Sequence, residues 1–117
     1  MGTTTDHASA LRHGHLREGI PGVLPQELVT ELVHGRDVRI ERIVSRGHAS
    51  PPEFWYDQDE HELVVLLSGS AAVELEGHGT RTLAPLDWLN IPAHVRHRVA
   101  FTDAAVDTVW LAVFYRT

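Results

Sequence analysis

The chain has 117 residues, 43% of them hydrophobic, a formal net charge of −6 and no cysteine. This describes one domain able to bury a single core, and the lack of cysteine excludes disulfides and thiolate metal sites. The acidic balance, with no basic patch interleaved with aromatics, argues against a nucleic-acid surface; no signal-peptide pattern or span of about 20 apolar residues supports export or membrane insertion, so the cytoplasm is the expected compartment.

Met1 to Gly22 is rich in Thr, His, Gly and Ala, has little apolar periodicity and ends on a Gly-Ile-Pro-Gly turn signal. It is expected to be a mobile segment, residues 1–22, ahead of a folded domain over 23–117. His7, His13 and His15 lie in it with nothing to fix a metal geometry.

The run Leu-Val-Thr-Glu-Leu-Val within Val23 to His34 suits a short helix or a strand by pattern. A strand is favoured, pairing across Gly35 and Asp37 with Val38 to Arg46, which is rich in β-branched residues. On that second strand Val38, Ile40, Arg42 and Val44 share one parity, so an arginine falls among apolar residues. Either it lines the interior or a bulge turns it out. A buried Arg42 needs a partner, with Glu62 or a bound anionic ligand as the expected ones.

Ser-Pro-Pro then forces extended geometry into Phe54-Trp55-Tyr56. Tyr56 and Gln58, two apart on an extended segment, share a face, and Glu62 opens the apolar strand that ends at the Ser-Gly turn. Ser70 to Glu76 alternates apolar and polar, Gly77 to Gly79 turns, and Thr80 to Leu83 returns toward the Ala-Pro-Leu-Asp corner. A strand over Trp88 to Ile91 follows. His97, Val99 and Phe101 then share a parity, with His97 pointing inward. Thr108 to Tyr115 is a continuous apolar run, read as a strand buried on both sides, with Trp110 and Phe114 reaching the interior.

Two stretches carry chemistry: Trp55 to Gly69 and Ile91 to Val99. Their spacing resembles the two short motifs of the cupin superfamily. The first motif runs His-x-His, three or four residues, Glu, six residues, Gly; anchored on Gly69, its glutamate is Glu62, while Tyr56 and Gln58 stand at its two histidines. The second runs Gly, five residues, Pro-x-Gly, two residues, His; anchored on Pro92, its histidine is His97, while Leu86 and His94 stand at its glycines. Leu86 stands where a type II turn needs φ > 0, which implies a type I turn or local strain there.

The resemblance implies an all-β fold, a small double-stranded β-helix (jelly-roll) barrel of antiparallel strands. It also implies a divalent metal (Fe, Mn, Ni, Co or Zn) held by His97 and Glu62, with Gln58 or His94 completing the set. Tyr56 or His61 would move a proton as the catalytic residue, and Arg42 would meet the substrate. Two functions follow: an enzyme acting on a small metabolite at the metal, or a metal-free barrel acting as a small-molecule binding, sensing or partner-interaction module. A small-molecule ligand and a homodimer joined through a sheet edge are the expected partners.

Overall fold

The structure, a computed structural model, describes residues 9–117. Its strands are β1 (Leu28–His34), β2 (Val38–Ser45), β3 (His61–Ser68), β4 (Ala71–Leu75), β5 (Gly79–Leu83), β6 (Trp88–Ile91), β7 (His97–Thr102) and β8 (Thr108–Tyr115). They form two antiparallel sheets, one ordered β1-β2-β8-β3-β6 and the other β5-β4-β7. This is the expected jelly-roll, with β1 and β2 joined as a hairpin. Among the described residues, no helix is long and apolar enough to cross a membrane.

β8 lies between β2 and β3 in register over almost its whole length. A strand paired on both edges within a covered sheet needs apolar residues on both faces, which is why Thr108 to Tyr115 reads as an unbroken hydrophobic run. The core between the sheets gathers Val64, Leu66, Ala71, Val73, Leu75, Leu83, Ile91 and Trp110. Burying a side chain such as Leu66, which is fully enclosed, contributes about 1.5–3 kcal/mol.

β2 is where the sequence pattern misleads. Arg39, Glu41 and Ile43 face the space between the sheets, whereas Arg42 and Val44 are buried on the opposite side. That outer side is dry because residues 9–22, which contain no strand, run across it. Arg42 Nη1 donates to the carbonyls of Leu16 and Glu18 at 3.1 and 2.6 Å, and Nη2 donates to Thr30 Oγ1 at 3.1 Å. Arg46 Nη1 donates to Gly22 O at 2.8 Å. Arg42 therefore faces away from the interior, and its positive charge meets main-chain carbonyls in place of Glu62 or a ligand. His7, in the same segment, lies outside the described residues.

A bulge also breaks the parity of β7. Val73 pairs with Val99 and Ala72 with Phe101, so Ala100 is skipped; Thr102 is buried and Phe101 is half exposed.

The two positions where the family motif has glycine have positive φ here as well, 77° at Leu86 and 66° at His94. Each closes a turn, Asp87 N donating to Ala84 O at 2.9 Å and Val95 N to Pro92 O at 3.2 Å. The type II geometry is thus kept at Leu86 against the side chain's preference, and the strain alternative is the one realised. Leu86 is 76% exposed, so Leu86→Gly should raise stability by about 1 kcal/mol in urea denaturation. Gly69→Ala should do the reverse and cost at least about 2 kcal/mol, because Gly69 has φ 83° and an added Cβ would stand 2.6 Å from Thr108 Cα.

Candidate functional site

A cavity of about 300 Å³ lies between the sheets. Its walls are largely apolar and aromatic, with Trp110 and Phe114 from β8 reaching it as expected, and Val64, Val73, Ile91 and Val99 beside them. Among the described residues, seven polar side chains also line it: Glu27, Arg39, Glu41, Tyr56, Gln58, Glu62 and His97.

The two motif stretches are joined through the backbone. Tyr56 N donates to His97 O at 2.7 Å, His97 N to Tyr56 O at 3.1 Å, and His94 N to Gln58 O at 2.8 Å. This antiparallel bridge sets the Tyr56 ring against His97, centroids 5.5 Å apart and planes 27° apart. Tyr56 and Gln58, two residues apart, both face the cavity.

Glu62 is the hub of the polar cluster. Its Oε1 accepts from Gln58 Nε2 at 3.3 Å and lies 3.3 Å from His97 Nε2. The other ring nitrogen, His97 Nδ1, donates to Val95 O at 2.9 Å. With Nδ1 fixed as a donor, a hydrogen bond from Nε2 to a carboxylate requires the imidazolium form. Burial alone would lower the His97 pKa; the hydrogen bond to Glu62, the Val95 carbonyl and the Glu62 charge outweigh it and raise it above its usual value. Both Glu62 contacts are longer than the 2.7–2.9 Å or so of a tight charge-assisted bond, which leaves the carboxylate free to accept from a ligand.

Tyr56 is shifted for different reasons. Burial, then the charges of Glu27 and Glu62, push its phenol up, so it remains a neutral hydrogen-bond donor.

His61 and His94 face elsewhere. His61, at the start of β3, accepts from Ala93 N at 3.0 Å through Nδ1, meets Thr117 Oγ1 at 3.2 Å and packs on Tyr115. His94 sits at its strained turn with its ring 68% exposed and Nδ1 2.9 Å from Asp57 Oδ1. Arg42 is on the other side of β2. Of the residues expected at the site, the structure brings together Tyr56, Gln58, Glu62 and His97.

Three cavity residues were missed. Arg39 donates to Glu41 at 2.5 Å and to Glu60 at 2.8 Å, and its guanidinium lies over the Phe114 ring. Glu41 and Glu27 complete the set. Arg39 and Glu41 share the parity of Ile43, a legible signal obscured by the stronger apolar pattern on the other face.

A divalent metal of the kind the resemblance implies is held in catalytic sites by at least three protein ligands. His97 Nε2 and Glu62 Oε1 are spaced like two neighbouring ligands, and the Nδ1 bond to a carbonyl is the usual support of a metal-bound imidazole. The set ends there. No group of three His, Cys, Asp or Glu converges among the described residues, the Gln58 amide nitrogen is turned to Glu62, and Tyr56 is held away from phenolate. The donors present do not fit a resident divalent metal.

A two-sheet antiparallel barrel enclosing a polar cluster at one end of an apolar cavity defines the class, a small double-stranded β-helix protein. No family model and no curated protein sequence matches the chain. Among solved structures, a candidate mannose-6-phosphate isomerase from Ralstonia eutropha JMP134 is 47% identical over 92% of this chain and 100% of its own, with a TM-score of 0.88. A cupin superfamily protein from Desulfitobacterium hafniense DCB-2 is 20% identical over 84% of each chain, TM-score 0.68. An RmlC-like cupin with a double-stranded β-helix fold from Methanocaldococcus jannaschii is 17% identical over 82% of this chain and 85% of its own, TM-score 0.64. The chain has the cupin fold, a small double-stranded β-helix barrel.

The pH dependence of the cluster follows from its sign. His97 has a raised folded pKa, so its pairing with Glu62 contributes full stability below the ordinary histidine value of 6.5 and loses it as pH rises through the raised value. Urea denaturation of Glu62→Gln against wild type should show its largest deficit near pH 6 and a shrinking one toward pH 9.

Proposed function

We propose that the protein binds a small metabolite in this cavity without a resident metal, with His97, Glu62, Gln58 and Tyr56 holding its polar end. The observation that carries this reading is the closed His97–Glu62–Gln58 cluster facing a preformed, mostly apolar cavity. A cavity of about 300 Å³ is at the small end of the range for metabolite sites.

The cluster holds one proton donor and one acceptor on the same wall. The imidazolium of His97 gives a proton, the Glu62 carboxylate takes one, and the neutral Tyr56 hydroxyl donates a hydrogen bond. A carbonyl or hydroxyl group of the metabolite placed there is oriented and polarised by these groups.

The Ralstonia protein's name refers to a sugar phosphate. Support for a phosphate ligand is weak in this chain: among the described residues the one guanidinium lining the cavity, Arg39, is already shared between Glu41 and Glu60. Phosphate recognition relies on free Arg or Lys donors or backbone nests.

A second reading, a metal held by His97 and Glu62 with Gln58 turned to offer its oxygen, is favoured by the 3.3 Å spacing of Nε2 and Oε1. Elemental analysis of untagged protein after incubation with Fe(II), Mn(II), Ni(II) or Zn(II) separates the two. The expected content is well below one ion per chain. Near-stoichiometric metal that is lost in both His97→Ala and Glu62→Ala would replace the proposed reading with the second.

Filling the cavity provides the positive test. Val99→Phe should leave the fold intact and abolish binding of any metabolite that native mass spectrometry finds carried by the wild-type protein or that raises its melting temperature. Binding that survives both this substitution and Glu62→Gln would place the ligand elsewhere.

A further inference from the structure

The cavity carries an uneven set of charges. Three carboxylates line it, Glu27, Glu41 and Glu62, against two groups able to carry positive charge, Arg39 and His97. His97 is taken by Glu62. Arg39 is taken by Glu41 and by a fourth carboxylate, Glu60. Glu27 is left without a cationic partner among the described residues, and the chain contains no lysine.

Glu27 is nonetheless held in place. Ser45, fully buried, donates through Oγ to Glu27 Oε2 at 2.5 Å and accepts from Trp110 Nε1 at 3.2 Å. The indole that forms one wall of the cavity thus helps to fix the carboxylate through one hydroxyl. Glu27, Tyr56 and Val99 also line a second, smaller recess, together with Pro25, His48 and Pro51. The carboxylate therefore stands between the cavity and that recess. A hydroxyl donor satisfies part of its hydrogen-bonding capacity and leaves its charge uncompensated.

The cavity also has aromatic walls, Tyr56, Trp110 and Phe114. A cation of the chain itself already rests on one of them, Arg39 Cζ lying 4.1 Å from the centroid of the Phe114 ring. Electron-rich faces beside a fixed, unpaired carboxylate are the arrangement that recognises organic ammonium groups.

Building on the cavity-binding reading above, we propose that the metabolite is a small organic cation, its ammonium group at Glu27, its apolar body against Trp110, and a further polar group, where it has one, at Tyr56 and the His97–Glu62 cluster. An anionic ligand would meet the same uncompensated carboxylate and be repelled. A neutral ligand would gain the apolar contacts and lose the ion pair.

Three probes of one shape test this: benzylamine, benzyl alcohol and benzoate, titrated by calorimetry into the full chain at low salt. Benzylamine is expected to bind on the order of 10-fold more tightly than benzyl alcohol, and benzoate more weakly than either. Glu27→Gln keeps an acceptor for Ser45 and should bring benzylamine to the level of the alcohol, leaving the alcohol unchanged. Equal binding of amine and alcohol, a preference for benzoate, or an amine preference that persists in Glu27→Gln would overturn the cation assignment while leaving the cavity as a binding site. No binding of any of the three would count against both.

Discussion

The structure depends on the antiparallel bridge between Tyr56 and His97. Tyr56, on an extended segment outside the sheets, is locked to His97, the first residue of β7, by reciprocal backbone bonds at 2.7 and 3.1 Å. That bridge brings His97 into a site where it is 5% exposed, alongside Tyr56 and Gln58 and within reach of Glu62 from β3. A buried imidazolium is costly unless it is paired and hydrogen-bonded. Val95 and Glu62 supply those partners on opposite sides of the ring.

The same requirement is met differently by the other buried cation. Arg42 lies on the outer face of β2, and its two terminal nitrogens donate to the carbonyls of Leu16 and Glu18 and to Thr30, while its buried Nε has no hydrogen-bond partner among the described residues. Residues 9–22 thus do for Arg42 what Glu62 does for His97. The two cations share no partner, and only one of them belongs to the cavity.

The barrel was legible in the sequence because its signals are local. Alternation in β4, the unbroken apolar run of β8, the Gly69 turn and the spacing of Glu62, Pro92 and His97 each follow from one strand or one turn. The side of β2 that faces inward was not legible. Parity identifies two faces but does not say which is interior when both are dry, and the cover over Arg42 comes from a segment with no periodicity of its own. The orientations of His61 and His94 were equally hidden. His94 is turned outward by a positive φ at a position where its side chain gives no hint of one, and His61 is drawn to the backbone of Ala93, far away in sequence. Arg39 and Glu41 enter the cavity through the same inversion of face, and Glu27 enters it from the residue just before β1. The functional consequence is a polar cluster with one histidine, where the motif spacing alone implied a ring of metal ligands.

What the cavity does therefore turns on the state of one ring. A long-range proton–nitrogen spectrum of ¹⁵N-labelled protein near pH 6, with and without added Zn(II), reads that state at both nitrogens of His97. The account predicts that both carry protons, Nδ1 toward Val95 and Nε2 toward Glu62, and that zinc leaves them unchanged. An Nε2 without a proton, shifted by zinc at one equivalent, would contradict it and make His97 a metal ligand.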